Sequence, residues 1–281
     1  MELLPIKDLP KIPSLKLAVV GHVEWVTFLS VDKYPKAGCI SHGEIYREEP
    51  AGGGAVAAVQ MSKLTEEKVH FYTALGKDGV GEMSYHRLKQ LGLEVNVAWR
   101  EEPTRKGISF IDSNGERAIT VIGNRLQPSS NDQLRWDELT NYDGVFVTAV
   151  DSGGLNHCRK AALLVASPRI GIETFKRANI NIDALIGSAL DPDERTLLEA
   201  IKPSPRICIA TQGSLGGEAF PGGQFKAFKL KKAAIDAYGC GDSFAAGVTI
   251  GLSSGWSLNE AISLGAHCGA HCSTLLGPYE D

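Results

Sequence analysis

The sequence predicts an α/β fold: a doubly wound, mostly parallel sheet flanked by helices, with a small β excursion attached. Three observations carry that prediction. Short apolar runs alternate with helical stretches along most of the chain, the pattern of a parallel sheet covered on both faces. Residues 22–48 and 94–122 interrupt the alternation with polar, turn-rich texture and a hairpin. The 281 residues are 43% hydrophobic and 22% charged, ordinary for a globular chain with ample core. One domain spanning 1–281 is expected, since no linker, internal repeat or low-complexity tract divides it.

In chain order, a proline-rich lead gives way to Leu15-Lys-Leu-Ala-Val-Val-Gly21, a buried first strand ending on glycine. Residues 22–47 are polar and aromatic, punctuated by Pro35 and Gly38, and leave the main sheet. Ala51-Gly52-Gly53-Gly54 is a glycine turn entering a helix; 69–75 is a second strand and 79–91 a second helix ended by Gly92. Gly79-Val-Gly81-Glu-Met-Ser84 only half-resembles a dinucleotide fingerprint, and helix entry is the simpler use. Residues 107–122 alternate around Asn114-Gly115, a strong hairpin signal. Beyond it, apolar runs at 145–150, 170–173, 184–187 and 207–211 read as strands, with helices near 155–166 and 194–201.

A net charge of −4 argues against nucleic acid or an anionic membrane as partner, and no apolar run is long enough to span a bilayer. The start lacks the basic-then-apolar order of a signal peptide, so the six cysteines are expected as free thiols in a reducing cytoplasm. His267-Cys268-Gly-Ala-His271-Cys272 has spacing that clips a metal, but its small and apolar neighbours fit a buried helix better. No metal site is assigned to it.

The stretch richest in chemistry is Asp236-Ala-Tyr-Gly-Cys-Gly-Asp242-Ser-Phe. Gly239 and Gly241 flank Cys240, and Phe244, Val248 and Leu252 then recur at helical spacing. Bare amides at the positive end of a helix make a site for phosphate. An aspartate there repels phosphate and makes sense as a base that takes a proton from an attacking hydroxyl. The plainer reading makes Asp242 the N-cap of the helix.

This stretch resembles the second signature of the ribokinase-like (PfkB) carbohydrate kinase family, Asp-Thr-x-Gly-Ala-Gly-Asp-x-Phe. The resemblance extends over most of the chain: Gly76-Lys-Asp78-Gly-Val-Gly81, Asn114-Gly-Glu-Arg-Ala-Ile and Thr211-Gln-Gly213-Ser-Leu-Gly216 are similar to the family's post-strand turn, hairpin and nucleotide loop. It implies ATP-dependent phosphorylation of an alcohol on a small sugar or sugar acid, with Asp242 as base and Gly239, Cys240 and Gly241 around the γ-phosphate. It implies nucleotide contacts from Thr211, Gly213, Ser214, Gly216 and Cys268, with the helix through residues 266–272 walling the adenine. It also implies acceptor contacts from Glu24, Gly52, Gly53, Gly54 and Asp242 beneath a β lid formed by 22–48 and 94–122, to which Arg105 is added as a candidate from its own chemistry. The cofactors it implies are ATP and Mg2+, and no Walker Gly-x-x-x-x-Gly-Lys-Ser/Thr or His-Arg-Asp element points to another phosphotransferase type.

The acceptor side departs from the family pattern. Val56 stands where an Asn is expected, Glu24 and Val26 replace the Asn and Asp that grip sugar hydroxyls, and Ser188-Ala-Leu-Asp191 stands for the Asn-x-x-Glu that orders magnesium and water. Either the acceptor differs, with His22, Glu24 and Trp25 offering new hydrogen bonds and a stacking face, or activity has been lost and a nucleotide or sugar sensor remains. The intact Gly-Cys-Gly-Asp favours an active kinase; a nucleoside is the second acceptor class. Arg105 reads equally as an anion contact or a solvated charge, and Arg117 as a solvated charge. The Ile108, Phe110, Ile119 and Val121 alternation offers an apolar lid face, and related sugar kinases pair lids, so a homodimer is expected.

Overall fold

The computed structural model describes residues 1–113, 117–192, 194, 200–230 and 233–280. Its strands are β1 (Leu17–Val20), β2 (Glu24–Val31), β3 (Gly43–Ala51), β4 (His70–Gly76), β5 (Glu94–Arg100), β6 (Lys106–Ile111), β7 (Arg117–Ile122), β8 (Gly144–Val147), β9 (Leu164–Ala166), β10 (Ala184–Ser188), β11 (Ile207–Thr211), β12 (Gly217–Phe220) and β13 (Gly223–Phe225). The helices are α1 (Gly53–Ser62), α2 (Gly79–Gln90), α3 (Ser152–Cys158), α4 (Ile172–Ala178), α5 (Cys240–Ser253) and α6 (Leu258–Cys272).

Nine strands form the main sheet in the order β13-β12-β11-β10-β9-β8-β1-β4-β5. From β11 to β5 every pairing is parallel, while β12 and β13 close the far edge as an antiparallel meander. The chain winds outward from β1 through β4 to β5, then crosses back to β8 and winds the other way. The β1/β8 boundary is thus a topological switch point, where α/β sheets open a crevice beyond the carboxyl ends of their strands. Alternate residues of β1 feed opposite cores: Leu17 and Val19 join one cluster with Phe146, Phe244 and Val248, and Ala18 and Val20 the other with Tyr72, Trp136 and Leu155. That explains why the central strands read as unbroken apolar runs.

β3, β2, β6 and β7 form a separate four-stranded sheet. The excursion expected at 94–122 starts later than its sequence texture implied: Glu94–Arg100 pairs with β4 in the main sheet, and only 106–111 and 117–122 join the small one. The β6 and β7 strands pair antiparallel as the hairpin pattern required, while the Asn114-Gly115 turn lies outside the described residues. Two further expectations fail. Residues 164–166 are a three-residue strand rather than helix, and 170–173 turn from a Pro168–Ile170 3-10 segment into α4 rather than extending. In both places the run is too short for periodicity to separate strand from helix, and sheet pairing decides.

Strand register also divides the expected apolar lid face. Ser109 pairs with Ile119 and Gly107 with Val121, so Ile119 and Val121 share a face with those residues, while Ile108 and Phe110 share the other with Thr120 and Ala118. Leu29 pairs with both Phe110 and Tyr46, and Tyr46 is 63% exposed, so the outward apolar face is Leu29, Tyr46, Ile108 and Phe110.

Candidate active site

The exit of β1 and the entry to α1 touch backbone to backbone: a Cβ on Gly54 would meet the Gly21 Cα at 2.9 Å. The loop before α5 is tied to the same place, because the Gly52 amide donates to the buried Tyr238 hydroxyl at 3.0 Å. Asp236 holds that loop, accepting from the Tyr238 amide at 2.8 Å and the Gly277 amide at 3.0 Å. Burial raises the Asp236 pKa despite these donors.

Gly239 is the N-cap of α5 in the left-handed region, φ 76° and ψ 0°, a conformation that favours glycine. No side chain caps the helix, and Asp242 sits inside its first turn, so Asp242 is not the N-cap. First-turn amides have no intrahelical acceptor, which leaves those of Gly241 and Asp242 available to an anion. The Asp242 carboxylate lies against α1: a Cβ on Gly53 would come within 2.8 Å of its Oδ1. Gly53 therefore leaves the space that the carboxylate occupies.

Asp242 and Gly241 line one pocket with Thr211, Ser188, Arg169 and Glu194, at the carboxyl ends of β9, β10 and β11. Arg169 Nη1 is 3.9 Å from Asp242 Oδ1, and its Nε donates to Glu194 Oε1. Asp242 and then Glu194 raise the Arg169 pKa, so the guanidinium is firmly charged. The other Glu194 oxygen accepts from the Ser188 amide at 2.7 Å. Glu194 thus brings a carboxylate to the pocket wall, and the charge of Asp191, the residue matched to the family's Glu, acts on the same Arg169. Gly213 and Ser214 lie in an exposed 3-10 turn directly after Thr211, and Gly216 is buried at its end.

On the other side of the cleft, buried Glu24 pairs with Arg105 at 3.1 Å and with His22 Nε2 at 3.5 Å. Burial alone would raise its pKa, but the hydrogen bond and charge of His22, with Arg105 and Arg169, bring it below the usual value. Strand alternation turns Trp25 to the face away from Glu24, so it gives the cleft no stacking surface. Val26 and Val56, both departures from the family pattern, pack into one buried cluster with Phe28, Ala51 and Tyr238. Replacing both members of a polar arrangement with apolar groups leaves no orphaned donor behind.

One expectation needs correction. Cys268 does not face a nucleotide site: it is 5% exposed, and its Sγ lies 2.9 Å from where a Gly247 Cβ would stand, between α5 and α6. The neighbouring His and Cys side chains diverge, with His267 bonded to the Leu4 carbonyl, His271 to Glu280 and Cys272 to the Tyr238 carbonyl. Among the described residues no three His, Cys, Asp or Glu side chains gather to hold a metal. Cys240 has its thiol pKa raised by a hydrogen bond with Cys272 and by burial.

The pfkB family carbohydrate kinase profile matches residues 14–167 and 174–280. The chain belongs to the pfkB family of carbohydrate kinases. As a pfkB member it is an ATP-using sugar kinase. It is similar to a fructokinase of Klebsiella pneumoniae, 26% identical over 83% of this chain and 90% of that protein. It is also similar to an ATP-dependent ribose-1-phosphate kinase of Halopiger xanaduensis, 24% identical over 91% of each chain. The fold matches that of Arabidopsis thaliana ribokinase, solved with ribose and ATP, with a TM-score of 0.72, 19% identity and 94% of each chain covered.

Sequence reasoning about this pfkB kinase missed Arg169 and Glu194. Ser167-Pro168-Arg169 does carry a signal: it follows a parallel strand of an α/β sheet, where ligand contacts gather. Once 164–166 is read as helix, that signal disappears.

Proposed function

We propose that this kinase transfers the γ-phosphoryl group of ATP to a hydroxyl of a small sugar or sugar acid, with Asp242 as the general base. The observation that carries the reading is the Asp242 carboxylate beside Gly53, in the same first turn of α5 as the free amides of Gly241 and Asp242. Thr211 and the 213–216 turn border the nucleotide, and the amides of Gly241 and its neighbours receive the γ-phosphate. His22, Glu24, Arg105 and the Gly52 to Gly54 turn face the acceptor. Electrostatic positioning supplies most of the catalysis of phosphoryl transfer, and Arg169 stands where charge develops.

Magnesium fits a site of this kind, because it takes one or two carboxylates and completes its shell with substrate phosphates and water. Glu194 and Asp242 are the carboxylates on the pocket wall, and the ion would neutralise phosphate charge. The protein is read as cytoplasmic and as a homodimer paired through the outward face of its small sheet.

The deciding experiment is Asp242→Asn. The substitution keeps shape and removes the base, so turnover should fall by about 10²–10⁴-fold with ATP affinity held or slightly increased. ADP release over sugars, sugar acids and nucleosides, with ATP binding by calorimetry, reads both. A folded Asp242→Asn protein with near-normal turnover would overturn the mechanism. Nucleotide binding with no turnover on any acceptor would favour a sensor.

A further inference from the structure

The acceptor side of the cleft holds more positive charge than phosphoryl transfer accounts for. Arg105, Arg125 and Arg169 converge there from the start of β6, the segment after β7 and the turn after β9. Arg169 is committed to Glu194 and Asp242, and Arg105 pairs with Glu24. Arg125 makes no salt bridge among the described residues; one of its N–H groups donates to the Arg169 carbonyl at 3.1 Å. It nevertheless sits close enough to Arg105, Arg169 and Glu24 for their charges to act on it. Burial lowers its pKa, the two neighbouring guanidiniums lower it further, and Glu24 alone opposes them. Arg105 Nε is buried with no hydrogen-bond partner.

A half-buried cation against two like charges, beside an orphaned buried donor, is costly unless something compensates it. Glu24 is one carboxylate already shared between His22 and Arg105, so among the described residues the compensation is incomplete. An oxyanion would complete it. The guanidinium fork matches phosphate and carboxylate oxygens in two-point contacts, and Arg125 has donors to spare for one.

We propose that the acceptor is a sugar carrying an anionic group, a phosphate ester or a carboxylate, gripped by Arg125 together with Arg105. The anion then sits beside Glu24, and a hydroxyl elsewhere on the sugar is presented to Asp242. This deepens the kinase reading and rests on it.

The test is ADP release on matched acceptors: ribose against ribose 1-phosphate and ribose 5-phosphate, fructose against its 1- and 6-phosphates, and glucose and galactose against gluconate and galactonate. The sugar phosphates and the sugar acids form separate arms, which assign the anion. In one of them the anionic member should be preferred at least about tenfold in kcat/KM. Arg125→Gln should erase that preference through an acceptor KM raised about ten- to a hundredfold, with kcat and the KM for ATP close to wild type. Thermal unfolding should show Arg125→Gln no less stable, since an unpaired charge has been removed. Neutral sugars preferred or equal would overturn the proposal. So would a preference that survives Arg125→Gln, or a loss confined to ATP. Calorimetric titration of the same acceptors without ATP separates this proposal from the kinase reading. Anionic sugars that bind wild type but not Arg125→Gln, without turnover, sustain the site and count against transfer. No binding of any anionic acceptor at millimolar concentration overturns the site.

Discussion

Replacing Gly53 with alanine should make the enzyme slower without making it less stable. The Gly53 backbone is not in the left-handed region, so alanine meets no conformational penalty there. Alanine is favoured over glycine in helices by about 0.5–1 kcal/mol, which gives an upper limit for the gain at the first residue of α1. The new methyl, however, would stand 2.8 Å from Asp242 Oδ1, where ordinary contact begins at 3.4 Å. The carboxylate must therefore retreat by about half an ångström from the position proposed for the base. Since a misplacement of about 1 Å in a catalytic geometry costs about 10²-fold, kcat should fall about tenfold. Steady-state ADP release on the best acceptor measures this, alongside thermal unfolding and the KM for ATP. Gly79→Ala is the control, because a Cβ there meets nothing within 4 Å and should leave kcat unchanged. A folded Gly53→Ala enzyme with wild-type kcat would refute the argument that Gly53 makes room for a working Asp242.

Glu24→Gln should weaken acceptor binding about ten- to a hundredfold and leave ATP binding nearly unchanged. Equal damage to both would mean that Glu24 does not serve the acceptor. The same variant makes a pH prediction. Glu24 has a folded-state pKa below its ordinary value of 4.5, so its charged form adds stability that is fully present above that value and is lost as pH falls through the lower one. Urea unfolding should show the Glu24→Gln deficit at pH 7 shrinking as the pH falls below 4.5, and a deficit that grows in acid would contradict the assignment. For assembly, Tyr46→Glu together with Phe110→Glu should turn a dimer into a monomer by scattering mass, because both lie on the outward face of the small sheet. A wild-type protein that is monomeric at tens of micromolar removes that idea.

The parts of this kinase that were legible in the sequence are those built by neighbours in the chain. The glycine turn at 52–54 enters α1, the Gly-Cys-Gly-Asp run opens α5, and the Asn-Gly hairpin separates two strands that do pair. Turn chemistry, helix entry and strand alternation are properties of a few consecutive residues, so they survive without any knowledge of the fold. The apolar runs of β1, β4, β8, β10 and β11 are likewise legible, because strands covered on both faces must be apolar throughout.

What tertiary structure alone decided is which charges face one another. Arg169 and Glu194 are 25 residues apart, and Arg169 reaches Asp242 from a different strand end, so their pairing follows from the placing of β9 and β10 beside α5. Glu194, which no motif singled out, meets the Ser188 amide and the Arg169 guanidinium together, beside the charge of Asp191. Arg125 looked like any loop arginine until the fold set it beside Arg105, Glu24 and Arg169. Val26 and Val56 read as two separate losses and proved to be one packed cluster. A charge acts through space and a packed side chain on whatever touches it, so neither effect is written in the order of residues along the chain.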